Sequence, residues 1–376
     1  MNNRHWFVNF ISGTYCLNTR LTFCDNLLMK KKLVYLFLSL AVLAYAFAGD
    51  YAVLDGTVTD ISKYGNLTIS VLVSEAEDEG YETGDLVSLT VGDWSSITPV
   101  GTSYSDVDSG KPIVRFAKEY IEAAINYGSL AKTTGAGTGT PVTISMAEKE
   151  GYADEYIIRH LTRTEEREDY SSDEVFANFR AVKAGNIKEN WLYRSCNPIL
   201  DDAMAPYADK LAQDAGIKTA INLADKEERL SEVSGSYYSS LIAQGNVIAL
   251  DLGVDFFSQS FTDGLRKGFL FMLDHPGPYL LHCNEGKDRA GLTAALLEAF
   301  LGASEEEIIN DYMLSFKNYF GTEEGTRQYE AISKVINDFL AKLGDEETIQ
   351  ESAEAYIINT IGLTEAEANA LKESLT

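Results

Sequence analysis

The sequence predicts an α/β fold for the C-terminal half of the chain, preceded by a small, mainly β domain. The apolar residues 278–281 are followed by a polar loop and then by an alanine- and leucine-rich segment with helical spacing, which indicates a strand, a loop and a helix. Residues 206–223 read as a helix, a glycine and a buried strand, the unit from which parallel sheets are built. Alternating apolar and polar residues within 56–73 indicate strands of the smaller domain.

The length and charge of the chain limit its organisation and its partners. With 376 residues, it can form two domains that each bury a core. The formal net charge of −26 argues against nucleic acid and anionic membranes as partners, and against a broadly basic pocket for a highly phosphorylated substrate. Solubility is the simpler reason for this acidity.

The first 48 residues have the pattern of a targeting region. Basic residues 30–32 precede an apolar run that ends in the cleavage-type motif Ala46-Phe47-Ala48. We expect a signal peptide over 29–48, preceded over 1–28 by an extension of the kind that a misplaced start codon produces. An uncleaved signal anchor is the alternative, although the apolar run is short for a membrane span. The expected location is secreted or periplasmic, without stable membrane insertion after cleavage.

Residues 49–151 are predicted to form the small β domain. Strands are expected within 56–61, 67–73, 84–91 and 141–146. Pro112 is predicted to open a helix that runs to Tyr127 and stops at Gly128. Residues 152–174, which are rich in charge, are expected to be a solvated connector.

Two motifs of the β domain resemble the C-terminal β-barrel domain of the S-adenosylmethionine hydroxide adenosyltransferases. They are Gly56-x-Val58-x-x-Ile61-x-x-Tyr64-Gly65-Asn66-Leu67 and Ala124-Ile125-Asn126-Tyr127-Gly128. The partner domain that completes the active site of that family is missing from this sequence. The resemblance therefore implies the barrel fold and an accessory role, and not the activity.

The loop of residues 283–289 has the strongest chemical pattern in the sequence. Cys283 ends the predicted strand, and five residues separate it from Arg289 at the start of the helix. Main-chain N–H groups of such a loop and the N-terminal end of the helix attract an anion, and their field favours a thiolate at this place. Arg289 can donate a planar fork of hydrogen bonds to two phosphoryl oxygens. These groups are the ones that phosphoryl transfer to sulfur requires.

The motif His282-Cys283-x-x-Gly286-Lys287-Asp288-Arg289 resembles the signature loop of the cysteine-dependent protein tyrosine phosphatases. It is more similar still to the bacterial tyrosine phosphatase-like branch, whose members also act on phosphoinositides. Asn178-Phe179-Arg180, Leu192-Tyr193-Arg194-Ser195 and Asp311-Tyr312-Met313-Leu314-Ser315-Phe316 resemble other parts of that branch. The resemblance implies a tyrosine phosphatase-like domain over 175–376, with a parallel-rich sheet flanked by helices.

The resemblance also implies roles for the residues of this signature loop. Cys283 would attack phosphorus, and Arg289 with the main chain of Asn284, Glu285, Gly286, Lys287 and Asp288 would bind the phosphate. The Lys287 side chain is expected to face the phosphate or a second acidic group of the substrate, and His282 is expected to orient the loop.

Two aspartates are candidates for the general acid that protonates the leaving oxygen. Asp288 ranks first, because the Lys287-Asp288 pair is thought to supply the acid in this branch. Asp251 ranks second, because it ends a strand 32 residues before Cys283. For each, the alternative is a structural carboxylate that caps a turn or pairs with a basic side chain.

The resemblance implies hydrolysis of a phosphorylated protein or a phosphoinositide, without metal or other cofactor. One residue departs from the family pattern: Ala290 stands where Ser or Thr usually follows the arginine, and that hydroxyl is thought to help the cysteine leave the phosphoenzyme. One alternative, which Ala290 alone favours, is a phosphate-binding pseudophosphatase. Another is an inositol polyphosphate (phytate) phosphatase, which should need several more Lys or Arg residues around the pocket. Cys196 is expected to be a buried structural residue, with a reversible bridge to Cys283 as the alternative.

Overall fold

The computed structural model describes residues 51–376, so that the expected extension over 1–28 and signal peptide over 29–48 lie outside the described residues. The chain divides into two compact units, one that ends at His160 and one from Leu161 to Thr376. This division falls inside the predicted connector 152–174. Within the described part of the chain, no helix is both long and apolar enough to cross a membrane.

The first unit is a closed seven-stranded barrel, which agrees with the predicted mainly β fold. Its strands are β1 (Leu54–Ile61), β2 (Leu67–Leu72), β3 (Leu86–Val91), β4 (Trp94–Gly101), β5 (Pro112–Arg115), β6 (Tyr120–Ile125) and β7 (Pro141–Glu148). Helices α1 (Val73–Asp78), α2 (Leu130–Thr134) and α3 (Ala153–Arg159) accompany them. Along β3, Val87, Leu89 and Val91 are buried, because every second side chain of a strand points into the barrel.

The predicted helix from Pro112 to Tyr127 is wrong, because the segment forms the antiparallel strands β5 and β6. Ile113 pairs with Ala124 and Val114 with Ala123, and all four side chains are fully buried. Partners in the barrel thus outweigh the local helical pattern, and β-branched residues such as Ile113 and Val114 suit a buried strand.

The second unit is α/β, as predicted, with helices around a five-stranded sheet of order β11-β10-β12-β9-β8. Its strands are β8 (Arg180–Ala181), β9 (Leu192–Ser195), β10 (Thr219–Asn222), β11 (Val247–Ala249) and β12 (Tyr279–His282). Its helices are α4 (Asp173–Phe176), α5 (Ala205–Asp214), α6 (Glu227–Leu230), α7 (Tyr237–Ala243), α8 (Gln259–Asp274), α9 (Arg289–Phe300), α10 (Glu305–Phe320), α11 (Arg327–Ala341), α12 (Ile349–Asn359) and α13 (Glu365–Leu375). Strands β9 to β12 run parallel, and β8 is antiparallel to β9.

The register of the parallel strands brings polar residues together at one edge of the sheet. His282, the last residue of the central strand β12, pairs with Asn222 of β10 on one side and with Ser195 of β9 on the other. The loops that follow these strands therefore start at the same level, where α/β sheets bind ligands. Helix α9 leaves this edge and is buried on nearly every side, as its apolar sequence requires.

The segment between Leu161 and α4 is largely exposed, as its charge predicted, but two of its side chains are covered by the second unit. The Tyr170 side chain is buried, its hydroxyl donates to Thr164 O at 2.8 Å, and its ring packs edge-on against Tyr319 of α10. Arg163 is also mostly covered. Aromatic and long side chains here cover apolar surface of the second unit, which a count of charges does not detect.

Candidate active site

The signature loop, residues 283–289, joins the central strand β12 to helix α9. Cys283 is 2% exposed and follows the strand directly. Gly286 has a φ of +67°, and a Cβ at this position would lie 2.2 Å from the carbonyl oxygen of Ser195. A side chain there would meet main-chain atoms, so this close packing of the loop on the end of β9 requires glycine.

The loop carbonyls are held by donors from other parts of the second unit. Asn284 O accepts from Asn197 N (3.2 Å), Glu285 O from Asn178 Nδ2 and Tyr319 OH (both 3.1 Å), and Gly286 O and Lys287 O from Arg194 Nη2 (2.8 and 3.1 Å). The C=O and N–H of a trans peptide point in opposite directions. The N–H groups of residues 285–288 therefore point to the opposite side of the loop, which is the arrangement of an anion-binding nest.

Arg194 belongs to a buried ionic cluster behind the loop. It is fully buried and pairs with Asp311 Oδ2 at 2.5 Å, while Arg180 pairs with Asp311 Oδ1 at 2.8 Å. Burial alone would raise the pKa of Asp311, but the two guanidinium groups lower it well below its ordinary value. Ser315 Oγ accepts from both arginines and from Asn178. The cluster thus ties the hairpin β8–β9 and helix α10 to the signature loop.

These supporting residues were not predicted as site residues. Asn178, Arg180, Arg194 and Ser315 occur in segments that were noticed for their resemblance, without a role. The available signal was polar residues at strand ends and on an otherwise apolar helix face. Their function depends on contacts between distant parts of the chain, which the sequence pattern does not specify.

Arg289 lies at the first turn of α9, as predicted, and is oriented by main-chain carbonyls. Its Nη1 donates to Leu252 O at 2.9 Å and to Leu223 O at 3.5 Å. Both carbonyls belong to the loops that follow the parallel strands β11 and β10. A guanidinium has five donors in a fork, so one engaged nitrogen leaves capacity for two phosphoryl oxygens.

The side chains of Glu285, Lys287 and Asp288 form ion pairs within the loop. Lys287 Nζ lies 3.1 Å from Glu285 Oε2 and 3.1 Å from Asp288 Oδ2, and its ammonium lies 5.3 Å from the centre of the Phe316 ring. Burial would lower the pKa of Lys287, but the two carboxylates raise it above its ordinary value. The expectation that this side chain faces the substrate phosphate stays a prediction, and in the structure its ammonium pairs with carboxyl groups of the loop. The main-chain N–H of Lys287 belongs to the nest, whereas the ammonium serves the loop's own carboxylates.

Two features of Asp288 suit the general acid that the sequence predicts. Burial raises the pKa of its carboxyl above the ordinary value, against the opposing effect of Lys287. Its Oδ1 is buried and has no hydrogen-bond partner among the described residues. Both features favour the protonated carboxyl, which can give its proton to a leaving oxygen.

Asp251 lies at the same edge of the sheet but differs from Asp288 in its surroundings. It is exposed, has a φ of +47°, and its main-chain N–H donates to Asp225 O at 2.9 Å. Asp225 in turn accepts from Asn197, which follows β9, and from Asn222, which ends β10. Asp251 is thus part of the turn that follows β11, near the carbonyl that orients Arg289.

His282, Cys196, Cys283 and Ala290 are all buried. His282 Nε2 lies 2.7 Å from Tyr238 OH, and burial lowers the pKa of the imidazole, which keeps it neutral. Cys196 and Cys283 are both free thiols, and burial raises the pKa of Cys196. Ala290 is completely buried in the first turn of α9.

In residues 51–376 no group of three or more His, Cys, Asp or Glu side chains could hold a metal ion.

Solved structures of low similarity include three that cover parts of the chain. They are an uncharacterized conserved protein from Thermotoga maritima (22% identity, 24% of this chain and 35% of that chain, TM-score 0.24), a conserved hypothetical protein from Thermus thermophilus (25%, 24% and 34%, 0.20) and the core catalytic domain of the PP-IP phosphatase SIW14 from S. cerevisiae in complex with citrate (18%, 49% and 93%, 0.30). The chain spans about a third of the length of the first two.

The family comparison gives a direct result. No curated protein matches the chain. Residues 176–376 match the model of the tyrosine phosphatase family, and this match covers just over half of the sequence and the whole of the signature loop. The chain belongs to the tyrosine phosphatase family.

Proposed function

We propose that the protein is a cysteine-dependent phosphatase that hydrolyses phosphate monoesters through a phosphocysteine intermediate. Its first-choice substrate is phosphotyrosine in a protein. Phosphoserine or phosphothreonine and phosphoinositides are further candidates. The observation that carries this proposal is the signature loop, in which Cys283 and Arg289 flank a main chain whose carbonyls accept hydrogen bonds from Arg194 behind the loop. The N–H groups of that main chain are left to bind an oxyanion.

The proposed reaction has two steps. In the first, the Cys283 thiolate attacks phosphorus and the bond from phosphorus to the leaving oxygen breaks, while Asp288 gives that oxygen a proton. Arg289 and the N–H groups of residues 285–288 bind the non-bridging oxygens throughout. In the second step, water attacks phosphorus and gives a proton to the Asp288 carboxylate, and the bond from phosphorus to sulfur breaks. Cys283 leaves as a thiolate, and inorganic phosphate is released.

The charges at the site support a substrate with a single phosphate group. Lys287 is paired with Glu285 and Asp288, and Arg163 is paired with Glu285, so both cations already have carboxyl partners within the protein. Arg289 then supplies the principal positive charge for the ligand. A phytate or other inositol polyphosphate would need more basic side chains around the loop.

The test is phosphate release by the chain from residue 49, in EDTA, from a phosphotyrosine peptide, a phosphoserine peptide, a phosphoinositide and phytate. We expect release from the phosphotyrosine peptide and none from the Cys283→Ser variant. Asp288→Asn should lose about 100-fold in kcat/KM with phosphotyrosine, and Asp251→Asn far less. Release that survives Cys283→Ser would overturn the thiol mechanism, and a larger loss in Asp251→Asn would move the acid role to that residue.

Ala290 favours one second candidate function, a phosphate-binding module that does not turn over. Without the hydroxyl that usually follows the arginine, the phosphocysteine would accumulate. Mass spectrometry of the acid-quenched protein distinguishes the two functions. Stoichiometric phosphocysteine without released phosphate identifies the binding module, whereas continuous release identifies the enzyme.

We also propose that the protein is exported, on the support of the basic, apolar and Ala-x-Ala pattern within residues 29–48. Expression of the full sequence in a bacterial host, followed by N-terminal sequencing of the exported protein, tests this. A first residue of Gly49 agrees with the proposal. A product that keeps residues 29–48 contradicts cleavage there.

A further inference from the structure

Arg163 lies before the segment that matches the family, and its side chain reaches the signature loop. Its Nε donates to Glu285 Oε1 at 3.2 Å, and the guanidinium lies 5.3 Å from the centre of the Tyr319 ring. Only 13% of the side chain is exposed. Tyr319 OH donates to Glu285 O at 3.1 Å. Arg163 and Tyr319, which are in contact, thus hold the side chain and the main chain of the same loop residue.

The contact continues through the loop as a row of alternating charges. Arg163 pairs with Glu285, Glu285 with Lys287, and Lys287 with Asp288, at 3.2, 3.1 and 3.1 Å. Burial would raise the pKa of Glu285, but the charges of Lys287 and Arg163 lower it to about 2. Glu285 is therefore a carboxylate with two cationic partners, and Lys287 is an ammonium with two carboxyl partners.

We propose that Arg163 is a positioning residue for the general acid, because it holds Glu285 and thereby leaves the Lys287 ammonium shared with Asp288. This inference rests on the proposed function of the loop. If Arg163 is removed, Glu285 attracts Lys287 more strongly, and the hold on Asp288 weakens. The carboxyl then turns less reliably toward the leaving oxygen and keeps its proton to higher pH.

The surroundings of Asp288 determine the sign of this effect. The charged or titratable groups that act on it are Lys287, Glu285 and Arg289 from the loop and α9, and Tyr312 from α10. Those near Glu285 are Lys287, Arg163, Tyr170, Cys196 and Tyr319. Removal of one cation raises the pKa of both carboxyls. Because the acid must be protonated, activity falls as pH rises through the pKa of Asp288. In a protein without Arg163, this fall in activity occurs at higher pH.

The kinetic test compares full-length Arg163→Gln with the parent. The substrates are a phosphotyrosine peptide, whose leaving group needs protonation, and an aryl phosphate with a strongly acidic phenol, which does not. We expect about a tenfold loss in kcat/KM for the peptide and a much smaller loss for the acidic ester. The fall in kcat/KM on the alkaline side of the pH profile should occur about half a pH unit higher than in the parent. Arg163→Lys should restore most of the activity. Equal losses in kcat/KM on both substrates, with the alkaline fall in activity at the same pH as in the parent, would overturn the proposal.

Arg167→Gln is the matched control, since Arg167 lies on the same segment and pairs with Asp173 and with Tyr170 O. We expect it to behave as the parent. A loss equal to that of Arg163→Gln would show that docking of the segment matters and the Glu285 contact does not, which would overturn the inference.

A binding measurement makes the inference independent of turnover. Sulfate keeps two charges across the neutral range, so its affinity for the Cys283→Ser protein reports the charge of the loop. We expect this affinity to fall as Asp288 loses its proton, and to fall at higher pH when Arg163→Gln is added. If the sulfate affinity falls at the same pH with and without Arg163→Gln, the role of Arg163 is contradicted. If the fall in sulfate affinity moves to higher pH but the parent protein releases no phosphate, the role of Arg163 is supported and the proposed enzyme function is refuted.

Discussion

Ala290, the residue that follows the signature loop, departs from the phosphatase pattern and is fully buried beside Arg289. A serine there would supply a hydroxyl to the departing thiolate. If hydrolysis of the proposed phosphoenzyme limits the parent, Ala290→Ser should raise kcat about tenfold and shrink a pre-steady-state burst of the first product.

Rapid-mixing kinetics with an aryl phosphate measures the burst and the steady rate together. Ala294→Ser serves as the control, since Ala294 is equally buried one turn further along the same helix. It should leave the burst unchanged. A parent without a burst, or an Ala290→Ser variant no faster than the parent, would contradict slow dephosphorylation.

At the scale of elements, the hairpin β8–β9 and helix α10 are as much a part of the site as the loop. Arg194→Met removes donors from Gly286 O and Lys287 O and leaves Asp311 with one cation fewer. We expect it to lower the free energy of unfolding by about 3–5 kcal/mol and to reduce kcat/KM about 100-fold because the N–H groups lose their orientation.

Urea unfolding and steady-state kinetics of Arg194→Met measure the two effects. Lys183→Gln, an exposed change in the turn of the same hairpin, is the control and should have little effect. If Arg194→Met is destabilised while its kcat/KM stays near that of the parent, the cluster supports the fold alone.

The elements that could be predicted from the sequence are those with a local signal. Strand β12, the loop and helix α9 follow one another within a short stretch of chain, and each shows its own pattern. The donors to the loop could not be predicted in this way, since 92 positions separate Arg194 from Gly286. Strands β5 and β6 were read as one helix because their partners lie elsewhere in the barrel. The charge around Arg163 predicts a solvated connector, but charge alone does not show that this side chain contacts Glu285.

At the scale of the whole molecule, each unit has its own apolar core. We therefore expect residues 161–376 to fold and to keep the phosphatase activity of the full chain. A fragment limited to the family match, 176–376, lacks Arg163 and Tyr170 and should lose about tenfold or more in kcat/KM. Circular dichroism and phosphate release from both fragments check this. Equal activity of the two fragments would contradict a role for residues 161–175.

Acid stability is a second property of the whole molecule. Asp311 and Glu285 have depressed pKa values, that of Glu285 about 2, because cations overcome the effect of burial. Such groups stabilise the fold above the unfolded pKa of about 4, and this contribution is lost as pH falls through the folded pKa. Carboxyl groups with raised pKa values, such as that of Asp288, are largely protonated in the folded and the unfolded state at these low pH values. They therefore contribute little to the loss of stability in acid.

We therefore expect the free energy of unfolding to fall between about pH 4 and pH 2, and to fall less steeply in Glu285→Gln. Urea titrations across this range measure the slope. Glu347→Gln, at an exposed position, is the control and should keep the parental slope. An unchanged slope in Glu285→Gln would show that the ion pairs of the loop do not contribute to acid stability.

The attachment of the loop carbonyls to buried groups has a consequence for adaptation. Residues that orient the N–H groups also stabilise the fold, so most substitutions among them would be lost together with the folded protein. We expect variation to be tolerated better at exposed positions of the neighbouring loops than in the signature loop. New substrate preferences are therefore expected to evolve through those surrounding loops, while the phosphate chemistry is inherited unchanged.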